Sequence, residues 1–191
     1  MWRKIAIAVA FLLAFGLPAF ARTLTIVAFG DSATAGYLVA RKDAYPAQLQ
    51  AALRAKGYDV EVHNAGVNGD TTAGALRRFD MAIAPGTHIA IVEFGSNDLR
   101  NRVPMKTIAA RLSEVIRTLR ARRIQVLVAG LGRLDLSDVA RANGVPYAQW
   151  SLPPGQYRAR DGAHFNAAGY AILVQRMLPA VEALIERAKN R

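Results

Sequence analysis

Leu24-Thr25-Ile26-Val27-Ala28-Phe29-Gly30-Asp31-Ser32 is an apolar run of strand length that stops at a glycine, a carboxylate and a hydroxyl. The run from Leu24 to Phe29 does not alternate with polar residues, which is how a strand buried on both faces reads. Three further runs, Asp59 to His63, His88 to Phe94 and Gln125 to Ala129, are short, rich in Val and Ile, and bounded by Gly, Asn or Pro. They are predicted as buried central strands, with a weaker fifth after Gly144. Helical periodicity fills the gaps at Pro46 to Lys56, Thr72 to Ala84, Pro104 to Ala121, Leu136 to Ala142 and Ala167 to Lys189. Pro46 and Pro104 suit first-turn positions, and Gly57 suits the residue just past a helix end. Strands alternating with helices predict a three-layer α/β/α domain around a central parallel five-stranded sheet.

The 191 residues, 52% of them hydrophobic, suit one domain. Ahead of it, Arg3 and Lys4 precede an apolar run from Ile5 to Leu17 and the small-residue pattern Ala19-Phe20-Ala21. That order reads as a signal peptide at 1–21 with cleavage after Ala21, leaving a single domain at 22–191 that is periplasmic or secreted. The apolar run is shorter than the ~20 residues of a spanning helix, and no later segment is read as apolar enough to cross a bilayer. The chain has no cysteine, which excludes thiol catalysis and Cys-based metal sites. Net charge is +11, falling by two with the loss of Arg3 and Lys4. Eight cations lie between Arg100 and Arg123, where Ile108, Leu112, Val115, Ile116 and Leu119 recur at helical spacing. That pattern reads as a solvated helix face rather than a nucleic-acid surface, because no nucleic-acid-binding signature accompanies it. Weak contact with anionic membrane or cell-wall polymer is compatible with the charge.

In an open parallel sheet, ligands sit beyond the carboxyl ends of the strands. The residues there are Gly30-Asp31-Ser32, Asn64-Ala65-Gly66 and Gly95-Ser96-Asn97-Asp98, three segments expected to meet on one edge. Of five serines, only Ser32 and Ser96 follow strands. A serine hydroxyl needs a base to become a nucleophile, and histidine is the usual one. His63 ends a strand and His88 begins one, which suits structural or surface roles. His164 lies in Asp161-Gly162-Ala163-His164 before the last helix, where one turn brings the carboxylate to imidazole Nδ1 and leaves Nε2 for the serine. Ser32 and Gly66 N–H groups and the Asn97 amide are the candidate oxyanion donors.

These segments resemble, in order, the sequence blocks of SGNH hydrolases, the GDSL family. Block one is matched by Ala28-Phe29-Gly30-Asp31-Ser32, block two by Asn64-Ala65-Gly66, block three by Gly95-Ser96-Asn97-Asp98, and block five by Asp161-Gly162-Ala163-His164. Within the family the chain is similar to the small periplasmic thioesterase I, lysophospholipase L1 and arylesterase group. The resemblance implies a flavodoxin-like sheet, a serine esterase without metal or organic cofactor, Ser32 as nucleophile, Asp161 and His164 as its partners, and an oxyanion hole of Ser32, Gly66 and Asn97. Ala33 departs from the eponymous leucine, and Phe165 stands where these relatives usually carry proline. The stretches Leu131 to Asp135 and Ser151 to Arg160 look short for the group, so an open site for short acyl chains is expected. Its apolar lining is expected from Leu38, Val39, Leu99, Val103, Trp150 and Leu152.

The leading expectation is a monomeric hydrolase of small-molecule or lipid acyl esters working through an acyl-enzyme on Ser32. The alternatives are a carbohydrate O-deacetylase and a catalytically silent envelope protein that binds polyanions.

Overall fold

The computed structural model describes residues 23–152 and 155–190; the signal-peptide reading of 1–21 lies outside them. Strands β1 (Leu24–Gly30), β2 (Val60–Gly66), β3 (Thr87–Glu93), β4 (Gln125–Leu131) and β5 (Tyr147–Trp150) form one parallel sheet in the order β2-β1-β3-β4-β5. Helices α1 (Ser32–Ala35), α2 (Tyr45–Ala55), α3 (Thr72–Arg77), α4 (Phe79–Ala82), α5 (Ser96–Arg100), α6 (Met105–Ala121), α7 (Ser137–Ala142) and α8 (Ala167–Lys189) join them.

Side chains alternate across each strand, so β1 feeds two cores. Ile26 and Ala28 join a cluster with Leu49 and Leu53 of α2 and Leu173, Met177 and Val181 of α8. Val27 and Phe29 join one on the other face with Phe79, Ile108, Leu112, Val115 and Leu119. The arrangement is the expected three layers. Gly57, at φ +86, ends α2, its N–H bonded to the Arg54 carbonyl at 2.9 Å.

Three readings differ from the expectation. β2 is an edge strand, not a central one, and Glu61, His63 and Asn64 are exposed on it; the Val-Glu-Val-His alternation is the pattern of a half-covered strand. The helix expected over 72–84 breaks at Arg78, whose guanidinium is drawn beneath the strand ends. By length and composition α8 is apolar enough to cross a bilayer. Its apolar stripe instead covers the sheet, with Leu173, Met177, Val181, Leu184 and Ile185 all buried, as in a core helix.

Order β2-β1-β3 means that the chain leaves β1 to one side and returns on the other. That is the switch point at which open parallel sheets hold ligands. Gly30 is level with both Gly66 and Glu93, so the three strand ends meet there.

Candidate active site

Ser32 is the first residue of α1, where its N–H has no intrahelical acceptor. Asp31 caps the turn, its carboxylate accepting from the Ala33 N–H at 3.0 Å. Ser32 is thereby held, half-buried, at a sharp strand-to-helix turn. Gly66 is small for a steric reason: a Cβ there would lie 2.1 Å from the Ala35 nitrogen of the adjoining turn.

From the far end of the chain, the loop before α8 delivers His164. Its Nε2 lies 2.9 Å from Ser32 Oγ, and its Nδ1 lies 2.5 Å from Asp161 Oδ2. The other Asp161 oxygen accepts from the Ala163 and His164 N–H groups at 3.1 and 3.0 Å. Hydrogen bonding to His164, with those two backbone N–H groups, lowers the Asp161 carboxyl to about 2, so it is ionised at working pH. Phe165 is buried and anchors this loop. Arg158 lies over its ring at 4.5 Å and donates to the Ala163 and Leu152 carbonyls at 2.9 and 2.8 Å. Asn166 caps α8 through the Gly169 N–H at 2.9 Å. The Tyr37 ring meets the His164 imidazole edge-on at 4.9 Å.

Asn97 is buried at 8% exposure beside the nucleophile turn. Its amide nitrogen donates to Asp31 Oδ2 at 3.0 Å and to the Asp70 carbonyl at 2.8 Å. Both amide hydrogens are therefore engaged in the resting site. The Gly66 N–H is likewise occupied, by Asn64 Oδ1 at 2.9 Å. Gly95, at φ +115, turns β3 into α5, and a Cβ there would meet Leu134 at 2.8 Å.

Several groups that build this edge were given no role by the sequence. Arg78 donates to Asp70 Oδ2 at 2.6 Å, to the Ala65 carbonyl at 2.8 Å and to the Gly30 carbonyl at 3.0 Å, clamping the β1 and β2 ends together. Asp98 accepts from the Thr72 N–H and hydroxyl at 2.8 and 2.6 Å. Beneath Ser32, Glu93 Oε2 accepts from Thr34 Oγ1 at 3.0 Å, while its Oε1 has no hydrogen-bond partner among the described residues. Burial, and then the Asp31 charge, push the Glu93 carboxyl well above the usual range; burial also raises Asp31, against the Ala33 N–H that lowers it. Asp31 has a donor at 3.0 Å on each oxygen, whereas only Oε2 of Glu93 has any, from Thr34 and, at 3.4 Å, from the Asp31 N–H, so Glu93 holds the proton.

That assignment has a sign. The unfolded chain releases the Glu93 proton near pH 4.3 (roughly the free glutamate value), whereas the folded protein retains it. The contribution is complete below that value and is lost as pH rises toward the raised folded value, by at most about 1.4 kcal/mol per pH unit. Glu93→Gln, which mimics the protonated acid, is expected to flatten the fall of stability with pH above ~4.3. Denaturant unfolding at several pH values checks this; parallel slopes in the two proteins refute it.

A cavity of about 70 Å³ opens over the turn, bordered by Ser32, Asn97, Arg100, Leu131, His164 and Phe165 among others. The expected apolar lining is corrected. Trp150 and Leu152 are buried in the core, Trp150 edge-to-face on Tyr45 at 4.7 Å. Val39 and Val103 pack against the two cores, Leu99 is exposed, Leu38 sits at φ +68, and none of the six borders the cavity. These side chains follow strand ends in sequence, but the large ones reach the core and find more apolar surface there. His88 Nδ1 accepts from the Thr25 N–H at 3.0 Å and His63 lies 3.7 Å from Glu61 on the exposed strand, both away from the site. A larger cavity, about 580 Å³, opens beside Arg120, Arg123, Val145 and Arg187 at the opposite sheet edge, with no serine or histidine in its lining.

The model of the GDSL-like Lipase/Acylhydrolase family matches residues 28–172. The chain belongs to that family. It is 35% identical over 185 residues to "Esterase TesA" of Pseudomonas aeruginosa, covering 86% of this chain and 90% of that one. A match to an "Arylesterase" of Vibrio mimicus is also 35% identical, over 92 residues, and spans about half of either chain (48% and 46%). In fold the chain is similar to a crystal structure of TesA, with a TM-score of 0.75, 24% identity, and coverage of 84% of this chain and 99% of that one. The family member is a serine ester hydrolase.

Proposed function

We propose that this hydrolase acts on short-chain acyl esters through an acyl-enzyme on Ser32. The observation that carries the reading is the line Ser32 Oγ, His164 Nε2, His164 Nδ1, Asp161 Oδ2, with contacts of 2.9 and 2.5 Å. His164 takes the Ser32 proton as Oγ attacks the ester carbonyl, and ionised Asp161 stabilises the imidazolium. The tetrahedral oxyanion takes hydrogen bonds from the Ser32 N–H, from the Gly66 N–H, which exchanges Asn64 Oδ1 for it, and from Asn97, which exchanges the Asp70 carbonyl for it. Collapse breaks the bond to the alcohol, which leaves with the proton from His164. Water, deprotonated by His164, then releases the acid and restores Ser32.

Short chains follow from the cavity. Its 70 Å³ holds about two water-sized groups, and the Leu131 end of β4 closes it on one side. A buried methylene contributes ~0.8 kcal/mol, about fourfold in kcat/KM, and one left in water contributes nothing. For p-nitrophenyl esters from acetyl to palmitoyl, corrected for micelles, kcat/KM is expected to be flat or falling beyond hexanoyl. A steady rise past decanoyl would reveal a deep acyl channel and overturn the short-chain reading. Neither a carbohydrate deacetylase nor a silent polyanion binder is favoured. Export rests on the Arg3 to Ala21 pattern, and a monomer remains part of the proposal.

A further inference from the structure

Resting on the esterase reading of the site, we propose that Arg100 is a specificity-determining residue that selects esters carrying a negative charge close to the reacting carbonyl. Arg100 ends α5, three residues after Asn97, so the two side chains share one face of the turn. Both border the small cavity over Ser32. Arg100 is a cation without a partner: its guanidinium has no hydrogen bond, ion pair or ring contact among the described residues.

The carboxylates around it are already engaged. Asp31 holds Asn97 and the Ala33 N–H, Asp70 holds Arg78, and Asp98 holds Thr72 with Arg111 at 3.7 Å. Asp161 holds His164, and buried Glu93 is protonated. Arg100 is exposed at the rim of a cleft lined by Leu131, Ala163 and Phe165 beside the reacting groups, where a guanidinium fork matches a carboxylate. The cleft itself lacks room for a long apolar chain, so a short charged substituent fits it better than a long alkyl one.

The charge can sit on the acyl or the alcohol side, and two substrate pairs distinguish them. On the acyl side, p-nitrophenyl hemiglutarate is compared with neutral p-nitrophenyl butyrate. On the alcohol side, the butyrate ester of para-hydroxybenzoate is compared with that of its methyl ester. In the full-length processed enzyme, kcat/KM for one anionic member should exceed its neutral partner by about tenfold, as one charge-assisted hydrogen bond would give. Arg100→Gln should erase that ratio, Arg100→Lys keep part of it, and Arg100→Glu invert it; added salt should weaken it in the parent enzyme. Melting temperatures control for folding. An equal loss on neutral and anionic esters would make Arg100 a general contact to the reacting centre, and an unchanged ratio would leave it without a role; either overturns the proposal while the esterase reading stands. If neither neutral ester is hydrolysed, the esterase reading itself fails, and this proposal with it.

Discussion

Ester turnover falls by about 10⁴- to 10⁶-fold in Ser32→Ala, the loss expected when one member of a reacting unit is removed. Among the described residues the Ser32 hydroxyl bonds only His164, and the turn is held independently by Asp31 on the Ala33 N–H, so the fold should survive. His164→Ala is expected to cost as much. The double variant should cost no more than either alone, because the proton acceptor is useless without the hydroxyl and the reverse. Asp161→Asn should be less damaging, since it removes the charge facing Nδ1 and leaves the base in reach. Single-turnover kinetics on purified protein, with circular dichroism as the folding control, decide this. Wild-type turnover in Ser32→Ala would remove it as the nucleophile.

Asn97→Ala is expected to lower kcat by roughly 10²–10³ with little change in KM, because the amide binds charge that develops only in the transition state. A second effect separates Asn97 from a simple donor. It bonds Asp31 and the Asp70 carbonyl, so its loss should also destabilise the protein by about 1–3 kcal/mol. Steady-state kinetics and denaturant unfolding are read together. A raised KM with normal kcat would make Asn97 a contact of the ground state, and an unchanged stability would show that its two bonds contribute nothing net.

Most of the sheet was legible because its signals are local. The expected ends of β1, β3 and β4 differ from the observed ones by one or two residues, and Ala167–Lys189 matches. The short helices α1 and α5 were not foreseen: four and five residues carry too little periodicity to read. Arg78 gave no signal either, because its three acceptors come from the loop before α3 and from the ends of β1 and β2.

The pairing of Asp161 with His164 was legible in the sequence, since a spacing of three lets one turn bring carboxylate and imidazole together. So were the strand-length runs and the Gly-Asp-Ser turn after the first of them. Strand order leaves no local signal and was implied only by the family resemblance, and strand order is what puts Gly30 level with Gly66 and Glu93 and makes β2 an edge. The fates of Trp150 and Leu152, the proton on Glu93 and the unpartnered guanidinium of Arg100 leave no local signal either. Each depends on contacts between residues far apart in the chain, where burial and the choice among competing partners are properties of the packed molecule and leave no period or spacing behind.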